Sequence, residues 1–162
     1  MCEVKRIKSA ELFPVIKEVL EGGSRVWITV TGMSMYPFLR EDTDCVELSQ
    51  VSINTIKKGD IVLIQRVTGE YILHRVLRKE KEKFFIVGDA QQWIEGPLKS
   101  EQLIAVVTAV KRKKHQISCQ SMLWRILVGL WINIIPLRHI ILKGVRVLTK
   151  VKNFKNVIRH GQ

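Results

Sequence analysis

Between residues 25 and 110 the chain is a series of short runs of β-branched and aromatic residues, separated by turn residues. The runs are RVWITVT, DIVLIQRV, EYILHRVLR, KFFIVG and LIAVVTAV. Each run predicts a strand. Because no helical segment separates them, they favour an antiparallel sheet over a parallel βαβ sheet. We therefore predict a mainly β fold, either a coiled antiparallel sheet or a partly open barrel.

One helix is predicted ahead of these strands. Apolar residues repeat at helical spacing from Leu12 to Leu20, Pro14 is tolerated in a first turn, and Gly22-Gly23 ends the pattern. Residues 1–24 are therefore predicted to contain a short amphipathic helix. The same region carries charges throughout and has no apolar run before a small-residue cleavage site, so no secretory signal is predicted.

The positive charge is confined to the last third of the chain. Residues 1–110 contain 15 Lys+Arg and 15 Asp+Glu, whereas residues 111–162 contain the remaining 12 of the 27 Lys+Arg and no acidic residue. The whole net charge of +12 therefore lies after residue 110. This break in composition predicts a neutral β domain over residues 25–110 and a basic, apolar tail over residues 111–162.

The tail contains one strongly apolar segment, MLWRILVGLWINIIPL, over residues 122–137. As a helix it would be roughly 24 Å long, which is short of the roughly 30 Å needed to span a hydrocarbon core. Basic residues flank it on both sides, which favours a helix in the interface of an anionic membrane. Packing against the protein's own β domain is the alternative. The sequence leaves two localisations open. The protein is either membrane-associated, as a peripheral or marginally spanning protein, or cytoplasmic.

Three residues with chemical potential lie within the β region. Ser34 lies in TGMSMYPFL, His74 in YILHRVL and Asp89 in FFIVGDAQ. Each has an ordinary structural explanation, because serine before a proline turn, histidine on an apolar strand face and aspartate after a strand are all common. Their order along the chain, with KKGDIVLIQR between the first two and LIAVVTAV after the last, is much more specific.

These five blocks, taken in order over roughly residues 25–110, resemble the serine peptidase superfamily of type I signal peptidases and self-cleaving SOS repressors. The resemblance implies a signal-peptidase-type sheet and a serine endopeptidase that cleaves a leader or signal segment. It also implies that Ser34, in the glycine-x-serine-methionine-x-proline box, is the nucleophile. Family members use either lysine or histidine as the base, and His74-Arg75 resembles the histidine branch of the endoplasmic-reticulum and archaeal type. Lys79, Lys81 and Lys83 follow in a charged turn.

The chemistry explains this choice of residues. A serine hydroxyl needs a neighbouring base, and a neutral imidazole suits that task. A carboxylate must then orient the imidazole, and Asp89 matches the family's glycine-aspartate position, with Glu95 as a second candidate. Gly32 stands where many signal peptidases have a serine, so the oxyanion hole is expected to consist of the backbone N–H groups of Met33 and Ser34. No cofactor or metal site is predicted, since the cysteines form no C-x-x-C pair.

Two other functions remain open from the sequence. An inactive relative that only binds peptides is compatible with Gly32. A repressor-like regulator is compatible with the cationic tail, which would attract nucleic acid. However, no helix-turn-helix precedes the strands and no Ala-Gly or Cys-Gly bond precedes Ser34, so nucleic acid is not the predicted partner. The predicted partners are a peptide or protein substrate and a membrane surface contacted through residues 122–137.

Overall fold

The structure is a computed structural model, and it describes residues 9–138 and 140–144. Most of its regular secondary structure is strand. The strands are β1 (Val26–Thr29), β2 (Asp44–Ser49), β3 (Ile61–Gln65), β4 (Tyr71–Glu80), β5 (Lys83–Val87), β6 (Glu95–Lys99), β7 (Leu103–Arg112) and β8 (His115–Ser118). The helices are α1 (Ser9–Glu21), α2 (Met122–Asn133) and two short 3₁₀ segments, Ser100–Gln102 and Ile135–Leu137.

All eight strands belong to one antiparallel sheet in the order β1-β2-β7-β3-β4-β5-β6, with β8 paired to β7. The long strand β7 joins the two halves, because its first residues pair with β3 and its later residues pair with β2 and β8. Over the described residues the sheet does not close into a barrel. The predicted mainly β, antiparallel fold is confirmed.

The predicted elements and the observed ones differ at three strands. The five runs correspond to β1, β3, β4, β5 and β7, and α1 ends at Glu21 just before the predicted glycine stop. Strands β2, β6 and β8 were not predicted. β6 contains Gly96 and Pro97, which are poor strand formers and are tolerated here because β6 is an edge strand. β8 has the sequence HQIS, with little apolar content to mark it.

Two apolar clusters pack on the sheet. The larger cluster combines α1, the segment after β1, strands β2, β3 and β7, and one side of α2. The smaller cluster lies between β3, β4, β5 and β6 and contains Val62, Val76, Phe84 and Ile86. Because side chains alternate along a strand, β4 contributes Leu73 and Leu77 to the first cluster and Ile72 and Val76 to the second.

The beginning of the tail packs as part of this unit. β7 runs past residue 110 to Arg112 and turns back into β8, while α2 buries Trp124, Val128 and Ile132 in the larger cluster. These three positions are four residues apart and therefore form one helical stripe. The break in charge at residue 110 is thus not a packing boundary in the structure.

No single described helix is long and apolar enough to cross a membrane. By length and composition alone, α2 and the segment Ile135–Gly144 reach that threshold only as a pair, and they are bent by 73° at their junction.

Candidate functional site

Ser34 lies in the long connection between β1 and β2, here called the serine loop (residues 30–43). The loop is anchored from below by Met35 and Leu39, which are fully buried in the larger cluster. Its far end is held by the buried carboxylate of Asp44, which accepts the Arg40 N–H at 2.9 Å and pairs with Arg112. Ser34 itself is only partly exposed. The loop therefore presents the serine on a firmly packed base.

The start of the serine loop supplies free backbone donors. Within the part of the chain that the structure describes, the N–H groups of Met33 and Ser34 have no protein acceptor. Gly32 has φ +81, in the region that favours glycine, and its N–H donates to Glu41 Oε1 at 2.8 Å. A serine at position 32 would strain this backbone, and this accounts for the glycine at that position.

His74 is in the middle of β4, directly opposite Val62 on β3, and its side chain is 97% buried. Burial lowers the pKa of this imidazole from 6.5 to about 4; the Glu95 carboxylate raises the pKa and the Arg66 guanidinium lowers it. The imidazole is therefore neutral at pH 7. A neutral imidazole has one ring nitrogen free to accept a proton.

The carboxylate beside His74 belongs to Glu95, at the start of β6. Oε2 of Glu95 lies 4.0 Å from Nδ1 of His74, and that buried nitrogen has no hydrogen-bond partner among the described residues. Arg66 holds the Glu95 carboxylate in a bidentate pair, with Nε at 2.7 Å from Oε1 and Nη2 at 2.6 Å from Oε2. These hydrogen bonds lower the pKa of Glu95 and keep it ionised.

Asp89, the first candidate for the supporting acid, is occupied elsewhere. It is fully buried, and Arg75 donates to both of its oxygens, from Nε at 2.8 Å and from Nη2 at 2.5 Å. Nη1 of Arg75 also donates to the carbonyl of Gly59 at 2.7 Å. The pair thus ties the end of β5 to the loop before β3. Of the two acids considered from the sequence, the structure brings Glu95 to the imidazole and gives Asp89 a bracing contact.

One turn connects the serine loop to the strand of His74. β5 pairs with β4 so that Val87 lies opposite Arg75, the residue after His74. Just beyond Val87, the Ala90 N–H donates to the carbonyl of Ser34 at 2.8 Å. A Cβ at Gly88 would lie 2.8 Å from the same carbonyl oxygen, so no side chain fits there. The Gly88–Ala90 turn therefore connects the backbone of Ser34 to the strand pair that carries His74.

The lysines near the end of β4 lie in solvent, as their charged surroundings indicated. Lys79 donates from Nζ to the carbonyls of Ile53 and Asn54, both at 3.1 Å. Lys81 is in the exposed turn after β4 and Lys83 is exposed at the start of β5. None of the three is buried in the way that a lysine base at neutral pH requires.

Three residues that sequence reasoning missed contribute to this region. Arg66 holds Glu95, while Trp131 and Arg138, both from the tail, donate to the carbonyls of Asp89 and Gly88. The tail contacts had no signal in the sequence, because they depend on where α2 packs. In the described residues, no group of three or more His, Cys, Asp or Glu side chains could hold a metal ion.

A separate cleft lies between α2 and the loop before β3. It has a volume of about 320 Å³ and is lined by Lys57, Lys58, Asp60, Trp124, Arg125 and others. None of Ser34, His74, Asp89 and Glu95 lines it.

The family model described as Peptidase S24-like matches residues 2–110. The matched range contains Ser34, His74, Asp89 and Glu95, and it stops inside β7, ahead of β8 and α2. No curated protein matches the chain significantly.

Proposed function

The chain belongs to the Peptidase S24-like family, and from this premise we propose that it is a serine endopeptidase of the signal-peptidase type. Its substrate would be a protein or peptide from which a leader or signal segment is removed. The observation that carries the proposal is the neutral, buried His74, which has Glu95 beside it and is joined through the Gly88–Ala90 turn to Ser34.

In the proposed mechanism His74 accepts the proton of the Ser34 hydroxyl as its oxygen attacks the scissile carbonyl. The imidazolium formed is stabilised by the carboxylate of Glu95, which Arg66 keeps ionised. The N–H groups of Met33 and Ser34 donate to the oxyanion. His74 then passes the proton to the leaving amine, and a water molecule, activated by the same imidazole, releases the acyl group from Ser34.

The proposed site of action is the surface of an anionic membrane. The outer side of α2 exposes Met122, Leu123, Ile126, Leu127 and Leu130, opposite the stripe that packs on the sheet. Residues 111–162 add 12 Lys+Arg and no acid. An apolar helical face with cationic surroundings is the combination that binds in the interface of anionic bilayers.

Active-site labelling tests the enzymatic proposal. Incubation of the full chain with a fluorophosphonate, followed by peptide mapping, should place the phosphonyl group on Ser34. Ser34→Ala and His74→Gln should abolish labelling, while Ser24→Ala, which removes an exposed serine before β1, should leave it unchanged. Labelling of other serines with Ser34 unmodified would refute the proposal.

A further inference from the structure

The Gly88–Ala90 turn is held from two sides. On one side it contacts the serine loop, through the hydrogen bond from the Ala90 N–H to the Ser34 carbonyl. On the other side it contacts the C-terminal segment. Nε1 of Trp131 donates to the carbonyl of Asp89 at 3.1 Å, and Nη1 of Arg138 donates to the carbonyl of Gly88 at 3.2 Å.

The two C-terminal residues also contact each other. Nε of Arg138 donates to the carbonyl of Trp131 at 3.1 Å, and the guanidinium lies 5.3 Å from the centroid of the Trp131 ring. We call Trp131 and Arg138 the clamp. It comprises their two hydrogen bonds to the turn and their two contacts with each other. The clamp fixes two consecutive carbonyls of the turn whose next residue, Ala90, supports Ser34. A displacement of the clamp would therefore be transmitted to the serine loop through one hydrogen bond.

An arginine is unusual at the position of Arg138 if its role is only to pack against the turn. Its side chain is fully buried, yet no carboxylate among the described residues pairs with it, because Asp89 is taken by Arg75. Its Nη2 has no hydrogen-bond partner in the part of the chain that the structure describes. An unpaired buried guanidinium is costly, and an apolar side chain of similar size would often fill such a place at lower cost. Real proteins break rules of this kind at functional sites.

We propose that Trp131 and Arg138 are positioning residues for the peptidase site, which clamp the Gly88–Ala90 turn and thereby hold Ser34 in place. This inference rests on the proposed function, since it assigns the clamp to the same site. The clamp comes from a part of the chain beyond residue 110, where the family match ends. The tail thus completes a site whose reacting groups all lie in the matched region.

Two variants of the full chain remove the clamp's donors while retaining most of its volume. Trp131→Phe removes the indole N–H, and Arg138→Met removes the guanidinium. For each, the rate constant of Ser34 phosphonylation at saturating fluorophosphonate should fall about 10-fold or more, since small misplacements of reacting groups are costly. The half-saturating concentration and the Tm should change little. Arg125→Met, which replaces an exposed arginine on α2, is the matched control and should react at the wild-type rate.

Amide hydrogen exchange provides a readout that does not depend on activity. In both clamp variants the Ala90 amide should exchange about 10-fold faster or more, while amides in the middle of β3 keep their wild-type protection. An Ala90 amide that exchanges at the wild-type rate in the variants would overturn the proposal. A fall in Tm accompanied by loss of amide protection and of Ser34 reactivity throughout the protein would also overturn it. If Ser34 of the wild type is not labelled at all, the proposed function fails, and exchange at Ala90 still decides whether the clamp holds the turn.

Discussion

Protonation of His74 should make the folded protein less stable in acid by a predictable amount. Burial lowers the pKa of this imidazole from 6.5 to about 4 in the folded state, whereas the unfolded chain keeps the ordinary value. Between these two pH values the unfolded chain binds a proton that the folded chain does not. The free energy of unfolding therefore falls as the pH drops from 6.5 towards 4. At 1.36 kcal/mol per pH unit, the loss reaches about 3 kcal/mol at pH 4.

Urea denaturation of the wild type and of His74→Gln at pH 7 and pH 4 isolates this contribution. The acidic residues titrate in both proteins, so their effect cancels when the two pH-induced losses are subtracted. We expect the wild type to lose about 3 kcal/mol more than the variant over this range. His115→Gln, which removes an exposed histidine on β8, serves as the control and should behave like the wild type. Equal losses in the wild type and His74→Gln would refute the assignment of a buried, neutral imidazole.

The same pKa sets the pH dependence of catalysis. If neutral His74 is the base, kcat/KM of the free enzyme should decline only as the pH falls towards 4 and should stay nearly constant through pH 6.5. An acid limb centred near 6.5 would mean that the reacting imidazole is exposed, and a limb above pH 8 would point to a lysine instead.

Two further sets of variants test the site and the surface. Glu95→Gln should lower kcat on the order of 100-fold with little change in Tm, because it removes the carboxylate beside the imidazole. Asp89→Asn should lower the free energy of unfolding by about 3 kcal/mol or more, because it leaves the buried guanidinium of Arg75 without its counter-ion. If Asp89→Asn instead lowered kcat and Glu95→Gln lowered stability, Asp89 would be the supporting acid. Leu127→Glu, on the exposed side of α2, should weaken flotation with phosphatidylserine vesicles, and high salt should weaken wild-type flotation without abolishing it. If neither the substitution nor high salt changed flotation, α2 would not be the membrane contact.

Much of the fold could be predicted from local sequence patterns. α1 and five of the strands follow directly from hydrophobic periodicity and from glycine and proline at their ends. β6 could not be recognised, because Gly96 and Pro97 argue against a strand and only the neighbouring β5 makes one possible. β2 was also missed, because its Asp44 and Glu47 look like surface residues. In the structure Asp44 is fully buried against Arg112.

The order of Ser34 and His74 along the chain predicted a serine nucleophile and a histidine base, but the supporting acid could not be chosen in the same way. Both Asp89 and Glu95 follow β5 at plausible spacing. The choice depends on which cation each carboxylate meets, and that is set by strand register: Arg75 lies opposite Val87, near Asp89, while Arg66 follows β3 and reaches Glu95. Because β6 was not recognised as a strand, the position of Glu95 beside His74 could not be derived.

The tail shows most clearly why a boundary in composition need not be a boundary in structure. If residues after 110 were an independent membrane module, a chain shortened to residue 120 would fold as well as the full one. In the structure this truncation removes Trp124, Val128 and Ile132 from the larger cluster. Loss of a large buried side chain costs about 2–5 kcal/mol, and the total stability of a domain is only about 5–15 kcal/mol. We therefore expect the shortened chain to lose its cooperative thermal transition by circular dichroism, and a wild-type Tm would show that α2 contributes little to the core.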